Sequence, residues 1–491
     1  MANAIGHLVG IGLPEDYGYD RWDMKTLPMI PEFKLTALQK NRKQTKFLKT
    51  LFMRDDVTEI INACDAGREG ECIFRYIYNY CGCKKPVKRL WINSLTDEAI
   101  KDGMNRLHDS KEFDDLYAAG YARAKCDWIF GMNLSRLYGI KYDKHHRVGR
   151  VKTPLLNIIT KRDEQIAAFK KKPYYKLFLD NNAECSRTFD TKDEAGEVAQ
   201  KCLGKTAMVI SAKSEKKTEN RPLLHSLTSL QREANEVYGM TAADTLKAAQ
   251  SLYEKKLLTY PRTDSSYISA DMKDYVKSVV RCLSFYDESR ITEMLFQGLN
   301  LDKRVINNAK ITDHHAIIPT NLIGRLNQTE LTDNEKRVAG LVIERFLAAL
   351  DKPYKYLETR YEFDVDGELF ALTTKTALEL GWKKHRKAEP DKAPVSYYMG
   401  DTIIVDNIEI KDCETKPPAH FTEASLLSVM ENIDRLLEDK TLKGYVKERG
   451  LGTPATRAAI IEELIEAKYI MRKGKELIAT DYGKEFVKSL T

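Results

Sequence analysis

Strand-forming patterns in this 491-residue chain fall into two blocks far apart in sequence. The first holds Tyr174-Tyr-Lys-Leu-Phe-Leu179 and Ala207-Met-Val-Ile-Ser211; the second runs over 354–411 and opens with Tyr356-Leu-Glu-Thr-Arg-Tyr-Glu-Phe363, alternating at period two. Helical patterning returns between them, over 224–257, with a capping box at Thr241-Ala-Ala-Asp244. Strands need paired neighbours, so the two blocks are expected to build one β unit interrupted by an inserted helical unit. A charged connector, Lys383 to Pro394, interrupts the second block, and the last 75 residues read as helix. At roughly 100–200 residues per domain, the length suits three or four domains.

The N-terminal part alternates differently. Val57–Ala63 reads as a short buried strand, followed by a helix through Ile73, Phe74, Ile77 and Tyr78. A second strand, Val87–Asn93, precedes a helix capped near Ser94. That alternation predicts an α/β unit with a parallel sheet. The expected division is 1–115 α/β, 116–172 helical (first part), 173–224 β (first part), 225–350 inserted helical, 351–412 β (second part) and 413–491 helical (second part).

Formal net charge is +7, from 79 Lys+Arg and 72 Asp+Glu, and is too small to imply a partner by itself. Its distribution is uneven: residues 141–172 carry that whole excess, and the remaining residues balance. Such runs are commonly only solvated faces, but this one encloses the apolar helical stretch Pro154–Ile159 and is expected to be a folded basic surface. Nine cysteines are scattered, with no CxxC pair, and read as reduced thiols. No apolar run is long enough to span a bilayer, and the amino terminus lacks signal-peptide regions, so a soluble, cytoplasmic protein is expected.

Four islands carry chemistry. Asp65-Ala-Gly-Arg-Glu-Gly-Glu71 follows a strand end, where ligands bind in open α/β sheets. Its carboxylates, Asp65, Glu69 and Glu71, can hold Mg²⁺ while leaving positions for water and phosphate; an acid-rich first helical turn favoured by the helix dipole explains them equally well. Leu257-Leu-Thr-Tyr-Pro-Arg-Thr-Asp-Ser265 packs Tyr260 beside Arg262 and several hydroxyls. A phenol with a free pKa of about 10 can attack phosphorus only where cations stabilise the phenolate and the transition state. Asp313-His314-His315-Ala-Ile-Ile-Pro-Thr320 places two histidines side by side; on a strand only one faces a given site, and donation to a phosphate is its simplest use. The same triplet occurs in metal-dependent phosphoesterases, but no further aspartate set accompanies it. Lastly, Glu448-Arg-Gly-Leu-Gly-Thr-Pro-Ala-Thr-Arg457 leads into a helix whose N-terminus can bind phosphate. Gly204-Lys205-Thr206 ends like a nucleotide-binding P-loop, but position 199 is Ala and a strand follows, so ATP binding is not expected.

Together and in this order, these islands resemble the type IA DNA topoisomerases, particularly the bacterial topoisomerase III group. Val148-Gly-Arg-Val-Lys-Thr-Pro154, Pro418-Ala-His-Phe-Thr-Glu-Ala-Ser425 and Gly450–Arg457 match as well, so the resemblance covers nearly the whole chain. It implies a multidomain α and β torus: a Toprim α/β domain (1–115), a split β arch, a helical domain carrying the active-site tyrosine (225–350), and a two-part helical DNA-binding domain. It further implies an ATP-independent enzyme in which Tyr260 cleaves one strand as a 5′-phosphotyrosine, another strand passes, and the 3′-hydroxyl religates. Arg262 and His314 would assist at the phosphate, and Asp65 and Glu69 would serve Mg²⁺. Arg89, Arg123, Arg150, Lys152, Thr153, Arg449, Thr456 and Arg457 would hold the DNA. Single-stranded or negatively supercoiled DNA is the implied partner, a helicase is a further candidate, and nucleoid or plasmid association is implied with them.

Two departures from the family pattern shape the expectations. Ala4-Ile-Gly-His-Leu-Val9 matches the end of the family's second strand, so its first strand, with a Glu-Lys pair, is expected to be missing. Gly67 stands where many members have an aspartate. The competing readings are a catalytically impaired single-strand DNA-binding remnant and a Toprim nuclease or primase; neither nuclease nor primase chemistry needs the tyrosine and histidine islands.

Overall fold

A computed structural model describes residues 2–490, apart from 5, 93–96, 312–313, 329, 386–394 and 447–449. The two β blocks join. One antiparallel seven-stranded sheet runs in the spatial order Thr402–Ile404, Thr206–Glu219, Tyr354–Val365, Glu368–Glu379, Glu184–Cys185, Pro173–Leu179 and Ile408–Glu414. The central pairing is long, with register from Met208 opposite Asp364 to Glu219 opposite Tyr354 and a bulge between Val209 and Ser211. At one end, Leu177, Val209, Phe363 and Phe370 bury against the helix Lys192–Cys202. Beyond the bulge, residues 211–219 are largely exposed, so the ladder runs out past its core.

Between the blocks stands a helical core of Leu227–Tyr238, Ala242–Glu254, Lys273–Cys282, Glu288–Gln297 and Asp333–Leu350. Local chemistry explains these elements. Thr332 and Glu335 form a capping box at the start of Asp333–Leu350, after which Val338, Val342 and Phe346 recur on one buried stripe. Each such apolar side chain contributes about 1.5–3 kcal/mol relative to exposure. The two passages between core and sheet, 220–226 and 351–353, are held together by buried Arg221, which donates to Asp351 O at 3.2 Å and Asp302 Oδ1 at 2.6 Å.

A second helical unit is also assembled from distant segments. Asp114–Tyr142, Lys152–Ala168, Glu423–Glu431, Pro454–Glu466 and Asp481–Ser489 surround a shared core that includes Leu155, Ile159, Leu427 and Ile461. The last 75 residues are not all helix, which corrects the sequence expectation. Ile470–Lys473 and Glu476–Ala479 form a hairpin, with Phe421–Thr422 as its third strand. Gly474, at φ 62°, makes the two-residue turn with Lys475.

At the N-terminus, Ile60–Asn62 pairs parallel to Val87–Arg89, and His108–Asp109 adds an antiparallel edge. Val9–Ile11 pairs antiparallel with Leu35–Ala37. The expected helix start at Ser94 lies outside the described residues, which take up this helix at Asp97–Asn105. No helix among the described residues is long and apolar enough to cross a membrane.

Candidate active site

The acidic turn is shaped by a buried ion pair. Past Asn62 the chain turns through Asp65 into the helix Arg68–Cys81. A Cβ on Gly70 would sit 2.2 Å from Asp65 O, so glycine lets the helix close onto the turn. Glu71, fully buried, accepts from Arg75 Nε at 2.8 Å and Asn62 Nδ2 at 2.9 Å, and pairs with Arg89 Nε at 3.0 Å. It is therefore no metal ligand, which corrects one of the three carboxylates suggested by sequence. Arg89 needs a correction too. Its guanidinium is completely buried, donating to the carbonyls of Asn62, Cys64, Asp65 and Leu90. These bonds satisfy the charge internally and leave it holding the turn instead of DNA. Asp65 and Glu69 remain facing solvent. His7 Nε2 meets Glu69 Oε1 at 2.7 Å and holds that carboxyl below the usual carboxylate range.

The tyrosine segment is laced to the histidine segment by backbone and hydroxyl groups. The helix Ala242–Glu254 ends, Lys256 turns at φ 61°, and buried Leu257 and Leu258 anchor the start of the tyrosine segment. Thr259 N donates to Ile318 O at 3.0 Å, Ile318 N donates to Thr259 Oγ1 at 3.0 Å, and Thr263 Oγ1 donates to His314 O at 2.9 Å. These contacts put the Tyr260 and His314 rings 4.5 Å apart. His314 faces the cleft, whereas His315 places Nδ1 2.8 Å from Ala316 O. Asp313 lies outside the described residues.

The two segments meet the acidic turn. His314 Nε2 lies 4.0 Å from Asp65 Oδ2, and a cleft of about 60 Å³ is lined by Asp65, Tyr260, His314, Tyr253, Cys64 and Leu90. Burial, and then the charge of Asp65, push the Tyr260 phenol up to about 12, while nearby Arg262 pulls it down. Burial likewise lowers His314, against the pull of Asp65 and Asp264, so its imidazole is neutral near pH 7. Tyr253 is a component that sequence reasoning missed. Its ring stands edge-on to Tyr260 at 5.3 Å. It precedes Tyr260 across a helix end and a left-handed turn, so no spacing rule pointed to it.

A cationic surface borders the turn. Arg68, Arg123 and Arg150 lie close enough that burial and then their mutual repulsion lower the Arg123 pKa, and Arg68 and Arg123 both act on Glu69. Asp127 binds Arg150 Nε at 2.7 Å and lies 3.7 Å from Arg123. Lys152 is 3.5 Å from Glu463. Thr153 Oγ1 accepts from Gly149 N, and the Thr456 hydroxyl bonds Thr453, so both serve local caps. Arg457 is buried and donates to Thr228 Oγ1 at 2.9 Å, which corrects the expectation that it holds DNA. Arg449 lies outside the described residues.

The sequence profile of the DNA topoisomerase family matches residues 111–491. Full-length topoisomerase I from Thermotoga maritima shares the fold at a TM-score of 0.74, covering 99% of this chain and 78% of that one at 24% sequence identity. The chain belongs to the type IA DNA topoisomerases, isomerases that act on DNA, and has their multidomain torus of helical and β units. Within that class it is similar to bacterial DNA topoisomerase 3. The protein of that name from Bacillus licheniformis is 39% identical over 510 residues, and that of Bacillus subtilis strain 168 is 38% identical over 512; each match covers 99% of this chain and 70% of the relative.

Proposed function

We propose that this chain changes DNA topology without ATP by transient cleavage of one strand at Tyr260, with Mg²⁺ held at its Toprim turn. The observation that carries this reading is the convergence of Tyr260, His314 and Asp65 in one cleft, from three distant parts of the chain. The phenol oxygen attacks phosphorus, the bond to the 3′-oxygen breaks, and the phenolic proton is lost as the leaving oxygen gains one. The 5′-phosphotyrosine keeps the ester energy, so the reverse attack by the 3′-hydroxyl needs no nucleotide. A phenol held near 12 needs positive charge beside it. Arg262 supplies that charge, and neutral His314 donates one N–H to the phosphate. Arg68, Arg123, Arg150 and Lys152 hold single-stranded DNA through its backbone, so affinity falls with salt.

The fit of Mg²⁺ rests on donor chemistry. Asp65 on the turn and Glu69 at the start of the helix that follows are exposed carboxylates, and no cluster of three or more His, Cys, Asp or Glu among the described residues could hold a metal alone. One or two carboxylates completed by water and phosphate are the usual Mg²⁺ environment. When bound there, the ion would neutralise phosphate charge, with Asp65 and Glu69 as its protein ligands.

The test is incubation with negatively supercoiled plasmid and Mg²⁺, quenched with denaturant. Relaxation and a covalent protein–DNA adduct are expected, and both disappear in Tyr260→Phe. DNA binding with neither activity would favour the impaired remnant. Linear DNA free of protein, or an adduct that persists in Tyr260→Phe, overturns the assignment.

A further inference from the structure

Strand passage, as proposed for this chain, requires the helical core that carries Tyr260 to part from the second helical unit. Among the described residues, three buried hydrogen bonds cross that interface, and two of them form a reciprocal pair. Ala242 opens the helix Ala242–Glu254, and its N–H donates to Glu423 Oε2 at 2.6 Å. Ala424, in the first turn of Glu423–Glu431, donates its N–H to Asn235 Oδ1 at 3.1 Å. The ordinary N-cap hydroxyls, Thr241 and Thr422, are already occupied with the amides of Asp244 and Ser425. First-turn amides have no partner within their own helix. Here each of the two helix starts takes a second cap from the opposite unit. Arg457 to Thr228 is the third bond, on the same interface.

We propose that Glu423 and Asn235 are positioning residues that form a reversible latch, registering the tyrosine-bearing core so that Tyr260 and His314 meet Asp65. Both side chains keep a partner when the interface parts. Glu423 Oε1 stays with Arg472 Nε at 2.8 Å, and Arg472 is also held by Glu462. Asn235 Nδ2 stays with Met240 O at 3.0 Å. The released amides lie at helix ends, where water can replace the lost cap. Opening therefore strands no buried charge, unlike the rupture of an isolated buried ion pair. The contact is strong when dry and cheap to break, as a gate that must open and reclose requires.

The experiment is hydrogen exchange by mass spectrometry on the full chain without DNA, comparing Asn235→Ala, Asn235→Asp and Ala242→Pro with the parent. Both Asn235 variants lose the bond to Met240, but only Asn235→Asp keeps an acceptor for Ala424 N–H. Proline is tolerated at the first helical position, and Thr241 before it is already extended, so Ala242→Pro removes one N–H and keeps the helix. Asn235→Ala and Ala242→Pro are expected to speed exchange by about tenfold or more in segments 314–320 and 454–458, remote in sequence from both substitutions. Asn235→Asp should resemble the parent. An increase confined to 240–246 and 422–427 overturns the latch, as does equal exchange in Asn235→Ala and Asn235→Asp. Since no DNA is present, this outcome is independent of the adduct assay on Tyr260.

Discussion

At the scale of single residues, the fate of each arginine separates structural from DNA-binding roles. Arg89 satisfies buried Glu71 and four carbonyls, so Arg89→Ala should destabilise the N-terminal unit by about 3–5 kcal/mol, the usual cost of orphaning a buried charge. Urea unfolding would measure it, and Arg89→Lys should recover only part, since an ammonium cannot reach that set of acceptors. Arg123 and Arg150 lie at the surface. Replacing either with Ala should lower the slope of log affinity against log salt for single-stranded DNA by about 0.7, one phosphate's worth. Folded Arg89 or Arg457 variants should leave that slope unchanged, and a drop there would reverse both corrections. Sequence showed these four as equivalent cations, because whether a guanidinium is buried is decided by elements it does not adjoin in the chain.

At the scale of elements, buried His225, just ahead of the helix Leu227–Tyr238, pairs with half-buried Glu233 in that helix. Burial takes the His225 imidazole down to about 4, with Glu233 resisting. Burial raises the Glu233 carboxyl, but His225 and Arg345 outweigh it and hold it at about 2. Unfolded histidine titrates near 6.5, so between pH 6.5 and 4 the unfolded state binds more protons and stability falls as pH falls. Glu233 adds a further loss below about 4.5, its ordinary value. Chemical unfolding of the core should show a decline on the order of 2–3 kcal/mol between pH 7 and 4, and His225→Gln should flatten the part above pH 4.5. Elements with caps and periodicity, such as Thr241 with its helix, were legible in sequence. The hairpin Ile470–Ala479 was not, because four-residue strands among helices carry too little pattern and only Gly474-Lys475 marked the turn.

For the molecule as a whole, the described residues form three large cores: one within 224–350, one shared by 148–168 and 421–490 that also takes in Ala242, and one in the sheet. Calorimetry should resolve more than one unfolding transition, with a van't Hoff enthalpy below the calorimetric one; a single two-state transition would refute this expectation. Sequence alone determined the order of the β and helical blocks, the four chemical islands and the identity of Tyr260 as the outstanding tyrosine. All of these rest on short-range effects: period, caps, turn residues and neighbouring side chains. Only the tertiary structure decided that Asp65 meets His314 at 4.0 Å, that Tyr253 joins them, and that Arg89, Glu71 and Arg457 turn inward. The physical reason is desolvation. A charged side chain becomes structural or functional according to whether distant segments exclude water around it, and no local pattern encodes that.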